Sequence, residues 1–186
     1  MSTKPILFNT DMVRAILDGR KTVTRRAVKP QPLWRKPPIQ QSGRPEYWAN
    51  WDDEKIYKSP YRPGEILYVR ETWADWHGRY AYKATSFASE RYLEKNGTES
   101  VIKWRPSIHM PREAARIFLR VTDVRVERLQ EMPPYDIAFE GFRKQKDFIA
   151  LWNSTIKPSD RAIYGWDANP WVWVIEFERC EMLKGA

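Results

Sequence analysis

The densest set of reactive side chains in the chain is the run Gly19-Arg20-Lys21-Thr22-Val23-Thr24-Arg25-Arg26, four cations and two hydroxyls in eight residues. Arginine can hold a phosphate through two parallel N–H donors, lysine can act as a point charge or, once neutral, as a base, and a hydroxyl can add to a carbonyl. The same residues could instead form an exposed basic edge strand whose charges discourage pairing with another chain.

Other polar groups are more scattered. Glu71-Thr72-Trp73 and Asp167 can line a pocket or support a turn. Trp104-Arg105-Pro106-Ser107-Ile108-His109 can shape a cleft, because Trp and His stack on bases, or can be a buried Trp beside a hydrogen-bonded His. His77, His109 and Cys180 lie too far apart for metal-ligand spacing, so neither a metal nor a cofactor is expected.

The elements that must position these residues are mostly strands. Ile6–Phe8 reads as a strand, followed by a helix over Met12, Val13, Ile16 and Leu17 that Thr10 or Asp11 caps. Gly19 suits the left-handed position after it, and the β-branched Thr22-Val23-Thr24 starts a strand. Residues 27–63 hold seven of the 14 prolines, against long regular structure, yet also Trp34, Tyr47, Trp48, Trp51, Tyr57 and Tyr61. An ordered insertion bordering the ligand cleft is expected there. Further strands are read at Ile66–Arg70, Tyr80–Ala84 and Trp171–Phe177, with Trp171 and Trp173 on one face, and residues 91–100 are read as exposed. Over Arg116–Leu129 the apolar alternation changes phase near Thr122-Asp123, as a bulge would make it. Short helices are expected at Ile137–Gly141 and around Phe148, Leu151 and Trp152. The class is α+β, most simply one domain over residues 1–186 built on a small mixed β-barrel.

A chain of 186 residues with 42% hydrophobic residues can bury one sizeable core. Its net charge of +8 favours polyanions. No apolar run approaches the roughly 20 residues that cross a bilayer. Met1-Ser2-Thr3-Lys4-Pro5 leads into only a short apolar run, unlike a signal peptide, and the single Cys180 fits a reducing compartment. A cytoplasmic protein with no membrane partner is expected.

The segment Leu17–Arg26, LDGRKTVTRR, resembles the signature of the ASCH family. Pro63-Gly64-Glu65-Ile66-Leu67 is similar to that family's entry to the second barrel strand, and Val174-Ile175-Glu176-Phe177 to its closing strand. Tyr68–Trp73, Trp104–Met110 and Trp166–Trp173 are similar to longer ASCH-like proteins of phages and prophages. The resemblance implies a PUA-like barrel and an association with RNA; it spans most of the chain and covers residues 27–63 and 86–100 poorly, so the short flanking helices and the Pro/Trp-rich insertion rest on the residues themselves. Small bacterial members are N(4)-acetylcytidine amidohydrolases, whose Lys, Thr and Glu carry over to Lys21, Thr24 and Glu140, with Glu131 the alternative for the third. This chain departs from those compact enzymes in being far longer. Arg20, Arg25, Arg26, Glu71, Trp73, Trp104, Arg105 and His109 are then expected to bind RNA or a modified nucleoside.

Two roles for Lys21 remain open: a neutral base beside a protonated Glu140, or a cation stabilising an oxyanion. On a regular strand residues 21 and 24 face opposite ways, so they converge only if Lys21 lies in the preceding turn. A non-catalytic RNA-binding module and a metal-independent ribonuclease are the rival functions.

Overall fold

The computed structural model describes residues 3–76, 78–86, 91–93 and 99–181, and it is α+β, mostly strands with a few short helices. In chain order come β1 (Thr3–Leu7), α1 (Thr10–Leu17), β2 (Val23–Ala27), β3 (Ile39–Gln41), β4 (Arg44–Asn50), β5 (Asp53–Lys58), β6 (Ile66–Arg70), β7 (Trp73–Trp76) and β8 (Arg79–Tyr82). They are followed by β9 (Arg91–Leu93), β10 (Glu99–Val101), β11 (Phe118–Arg128), α2 (Asp136–Phe139), α3 (Gln145–Ser154), α4 (Arg161–Tyr164) and β12 (Trp171–Cys180). The chain divides into two units, one of Met1–Asp18, Ile66–Leu119 and Arg179–Ala186, the other of Gly19–Glu65 and Arg120–Glu178.

In the first unit β1 runs parallel to β6, from Thr3 opposite Ile66 to Leu7 opposite Arg70. β1 is an edge strand, which is where Pro5, lacking an N–H, is tolerated. Beyond β6 the ladder continues to the start of β11, where Val69 N donates to the Ile117 carbonyl (3.0 Å). Asn9, not Thr10 or Asp11, caps α1, because its side-chain oxygen accepts from Met12 N (2.9 Å). Asp11 instead joins the first turn, where the helix dipole favours a negative charge. Val13, Ala15 and Ile16 are the buried face, and Gly19 follows with φ 72°, the left-handed conformation that glycine adopts without penalty.

Also in this unit, β7 and β8 form a hairpin from Trp73 opposite Tyr82 to Trp76 opposite Arg79. The strand expected at Tyr80–Ala84 therefore begins earlier and stops at Tyr82. Its partner was not legible because Trp73 and Ala74 are consecutive and both buried, so no alternation marks the strand. Within residues 91–100, β9 and β10 pair antiparallel. The side-chain exposure expected for that stretch lies outside the described residues, as does His77.

In the second unit the remainder of β11, β12 and β2 are neighbours in that order. β12 and β2 are antiparallel, with Trp173 opposite Arg26, Val174 opposite Arg25 and Ile175 opposite Thr24. Trp171 to Ile175 are all buried. On one face Val172, Val174 and Val23 pack with Leu129, Met132, Ile137, Phe148 and Trp152. On the other, Trp171 lies edge-on to Trp34 (5.8 Å) and Trp173 to Trp48 (6.3 Å). A strand covered on both sides is buried nearly throughout.

The aromatic cover comes from the proline-rich region, which is more regular than the sequence implies. β3, β4 and β5 form an antiparallel sheet. Pro37 and Pro38 precede it, Pro60 and Pro63 follow it, and Pro45 is the second residue of β4, near a register shift between Gln40 and Gln41. The prolines thus bracket the strands instead of preventing them. Along β11 the buried residues are Leu119 and Val121, then Val124 and Val126, so the phase changes at Thr122-Asp123. The sheets are open, and none closes into a barrel among the described residues.

Candidate functional site

Lys21 lies in the turn between α1 and β2, in the second unit. Thr22 N donates to the Phe139 carbonyl (2.9 Å) and Arg20 Nη1 to the Gly141 carbonyl (3.2 Å), so the turn is stitched to the end of α2. Lys21 Nζ donates to Glu140 Oε2 (2.6 Å), the Glu140 carbonyl (3.0 Å) and the Val23 carbonyl (2.6 Å). An ammonium has three N–H groups, and here each has an acceptor. Burial pulls the Lys21 pKa below its ordinary value, Glu140 pulls it back up, and Arg26 and Arg25 push it down again. Three acceptors around the nitrogen fit the protonated amine.

Strand alternation turns Val23 and Arg25 toward α2. Arg25 Nη1 donates to Glu140 Oε1 (3.2 Å), and Nη2 donates to Asp136 Oδ2 and Glu127 Oε2 (3.5 Å). The side chains of Lys21 and Arg25 are 0% exposed and that of Glu140 1%, so this is a buried network of alternating charge. Asp136 and Glu127 are site residues that sequence reasoning missed. Asp136 precedes Glu140 by four residues, a spacing that puts both on one side of a helical turn, and that was the available signal.

Thr24 belongs to the opposite face of β2. It is 1% exposed, and its Oγ1 has no hydrogen-bond partner among the described residues. Lys21 does lie in the turn, as convergence with Thr24 requires, yet its amine bonds Glu140 and not Thr24. Glu131, the alternative third residue, is exposed and accepts from Arg128 N (3.4 Å). Arg20 is exposed, while Arg26 is partly buried on the Thr24 face. Burial pulls Arg26 down while Glu140 and Tyr61 pull it up.

Glu71, Trp73, Trp104, Arg105 and His109 belong to the first unit. Glu71 is buried and takes both forks of Arg116, Nε to Oε1 and Nη2 to Oε2, each at 2.9 Å. Trp73 is buried beneath the Arg105 guanidinium, 5.1 Å from its ring centre. Trp104 is half-buried, and His109 is exposed at the end of the turn Ser107–His109. Asp167 is exposed in the turn Trp166–Ala168.

Among the described residues no group of three or more His, Cys, Asp or Glu side chains could hold a metal, and no helix is long and apolar enough to cross a membrane. No family model matches the chain, and no curated protein matches it. It is similar to the solved structure of protein EF3133 of Enterococcus faecalis V583, described as DUF984, with a TM-score of 0.49 and 9% identity over 100% of this chain and 86% of that one. A likeness of that strength carries no argument about fold or function.

Proposed function

We propose that the chain is an ASCH-like protein of PUA-like architecture that recognises RNA or a modified nucleoside and hydrolyses the amide of an N(4)-acylated cytosine. The observation that carries this reading is the pairing of Lys21 with Glu140. The family resemblance assigns both to one reaction centre, and they stand 119 residues apart in sequence and 2.6 Å apart in space.

Within the proposal, Lys21 is the cation that holds the oxyanion, since its amine is bonded as an ammonium. Glu140 keeps it in place. Thr24 Oγ1 adds to the acyl carbonyl, forming a C–O bond; its proton passes to the departing N4 amino group as the C–N bond breaks and cytidine leaves, and water then cleaves the threonine ester to release the carboxylic acid and restore the hydroxyl. A buried, unpartnered hydroxyl costs about 1–3 kcal/mol, and unsatisfied groups of this kind recur at reactive sites.

The test is turnover of N(4)-acetylcytidine by the purified protein and by Lys21→Ala, Thr24→Ala and Glu140→Gln. Each substitution should reduce turnover at least about 100-fold, with non-additive double variants, because the groups act as a unit. Activity should fall as Lys21 loses its proton at high pH; a rate that climbs through that range would make the lysine a base instead.

One observation favours the rival reading of a non-catalytic RNA-binding module: the Lys21 amine is fully buried and all its N–H groups are bonded. Wild-type protein that leaves N(4)-acetylcytidine untouched at high enzyme concentration, while still binding single-stranded RNA in a salt-dependent way, would establish that reading in place of the first.

A further inference from the structure

Two segments of the first unit run side by side. Trp73 N donates to the Arg105 carbonyl (3.2 Å), and Arg105 N donates to the Trp73 carbonyl (2.7 Å). Farther along, Glu71 N meets Met110 Sδ (3.2 Å) and Arg70 Nη2 donates to the Ile108 carbonyl. Residues 70–73 are thereby fixed against residues 105–110.

Along this seam the hydrogen-bonding groups do not balance. Trp73 is 4% exposed, and its Nε1–H has no acceptor among the described residues. The Nε1–H of Trp104 and the Nε–H of Arg70 are likewise buried and without an acceptor. Glu71, the buried carboxylate of this seam, is bonded to Arg116 and accepts from none of these three donors. The Arg105 guanidinium lies over the Trp73 ring and is exposed at its edge. Neither Arg70 nor Arg105 has a carboxylate partner among the described residues. Three buried N–H donors on these two segments have no acceptor among the described residues, and the only acceptor of the Arg70 side chain there is the Ile108 carbonyl, whereas buried N–H groups in folded proteins are nearly always paired.

We infer that Arg70, Trp73, Trp104 and Arg105 form a binding site for a phosphate-type oxyanion. The chemistry is specific in one respect. The surplus groups are all donors, so the ligand must be rich in acceptors, and the two guanidinium groups make it anionic. Arg105, the exposed member, is placed to meet the anion first, and the indole N–H groups would complete its coordination. A phosphate monoester of a free nucleotide and the backbone of single-stranded RNA share this chemistry. The site stands whether or not Lys21, Thr24 and Glu140 are catalytic.

The indole N–H signals report on it directly. Of the 10 tryptophans in the chain, Trp73 and Trp104 should show saturable shifts of their indole N–H resonances when full-length protein is titrated with inorganic phosphate. Trp104→Phe assigns one signal by its loss, and Arg105→Ala, a change at an exposed side chain, should weaken phosphate binding roughly tenfold or more. Parallel titrations with a nucleoside 5′-monophosphate and a short single-stranded RNA identify the source by which binds more tightly than phosphate. The inference is overturned if these two resonances move no further with phosphate than with chloride at equal ionic strength. It is also overturned if their shifts persist unchanged in Arg105→Ala, which would leave hydration as the fate of the unpaired donors.

Discussion

Each of the two units buries a carboxylate against an arginine, and the two solutions differ. In the first unit Glu71 and Arg116 form a fork-to-fork pair, the remaining Arg116 Nη1 donates to Thr85 Oγ1 (3.0 Å), and the guanidinium sits 3.9 Å from the centre of the Tyr82 ring. Carboxylate and guanidinium match in number and geometry, and Arg116 is 27% exposed, so water can still reach it. In the second unit Glu140 is shared by Lys21 and Arg25, Asp136 takes the other side of Arg25, and neither cation is exposed at all. Arg25 Nε in that network, and Thr24 Oγ1 on the opposite face of β2, have no hydrogen-bond partner among the described residues. The closed pair acts as a brace. The shared network is the stronger commitment of charge to the interior, and unused bonding capacity borders it.

The comparison can be broken most easily at its carboxylates. Glu140→Gln leaves Lys21 with no carboxylate and Arg25 with two of its three, and should destabilise the protein by about 3–5 kcal/mol. Glu71→Gln should cost less, about 1–3 kcal/mol, because Arg116 can turn toward water. Urea denaturation midpoints measure both, and equal losses would erase the distinction.

A smaller effect sharpens it with pH. Burial holds the Lys21 pKa below its ordinary 10.5, so between the folded-state value and 10.5 the unfolded chain binds more protons than the folded one. Stability contributed by this group therefore rises with pH across that window. Wild type should gain on Lys21→Met as the pH is raised from neutral toward 10.5, by denaturation at a series of pH values. A gap that stays flat or shrinks would mean that Glu140 outweighs desolvation. The smallest effect is expected at Thr24. Thr24→Val removes an unpaired buried hydroxyl and should be neutral or stabilising by about 1 kcal/mol. A clear loss of stability would mean that the hydroxyl has a partner after all.

These clusters also mark where the sequence was readable. Strand β2, the helix before it and the apolar faces of β11 and β12 follow from period and from Gly19, since each is a local property of a few residues. The burial of Arg25 is not local. Its alternation partners are Val23 and Ala27, which hint at an inward face, but its carboxylates lie 111 and 115 residues away and only the fold brings them near. Glu71 and Arg116 are 45 apart, beyond any spacing rule. The three-stranded sheet within residues 27–63 was obscured for a different reason. Proline breaks strand interiors, whereas here it sits at the strands' margins. Asn9 is hard to single out as the cap from sequence, because two acceptable capping residues follow it directly.

The separation of 119 residues between Lys21 and Glu140 has a consequence for how the chain is made. At about 5–20 residues per second, a ribosome needs on the order of ten seconds to supply Glu140 after Lys21 has emerged. Throughout that interval β2 has neither its carboxylates nor β12, the strand it will pair with, and it presents an unprotected edge. The four cations of the run 20–26, two of them in β2 itself, then serve a second purpose: like charges keep the nascent segment hydrated and repel the same segment on neighbouring chains. Two of them, Lys21 and Arg25, later become buried charges of the fold, and until their partners arrive they are part of its guard against aggregation.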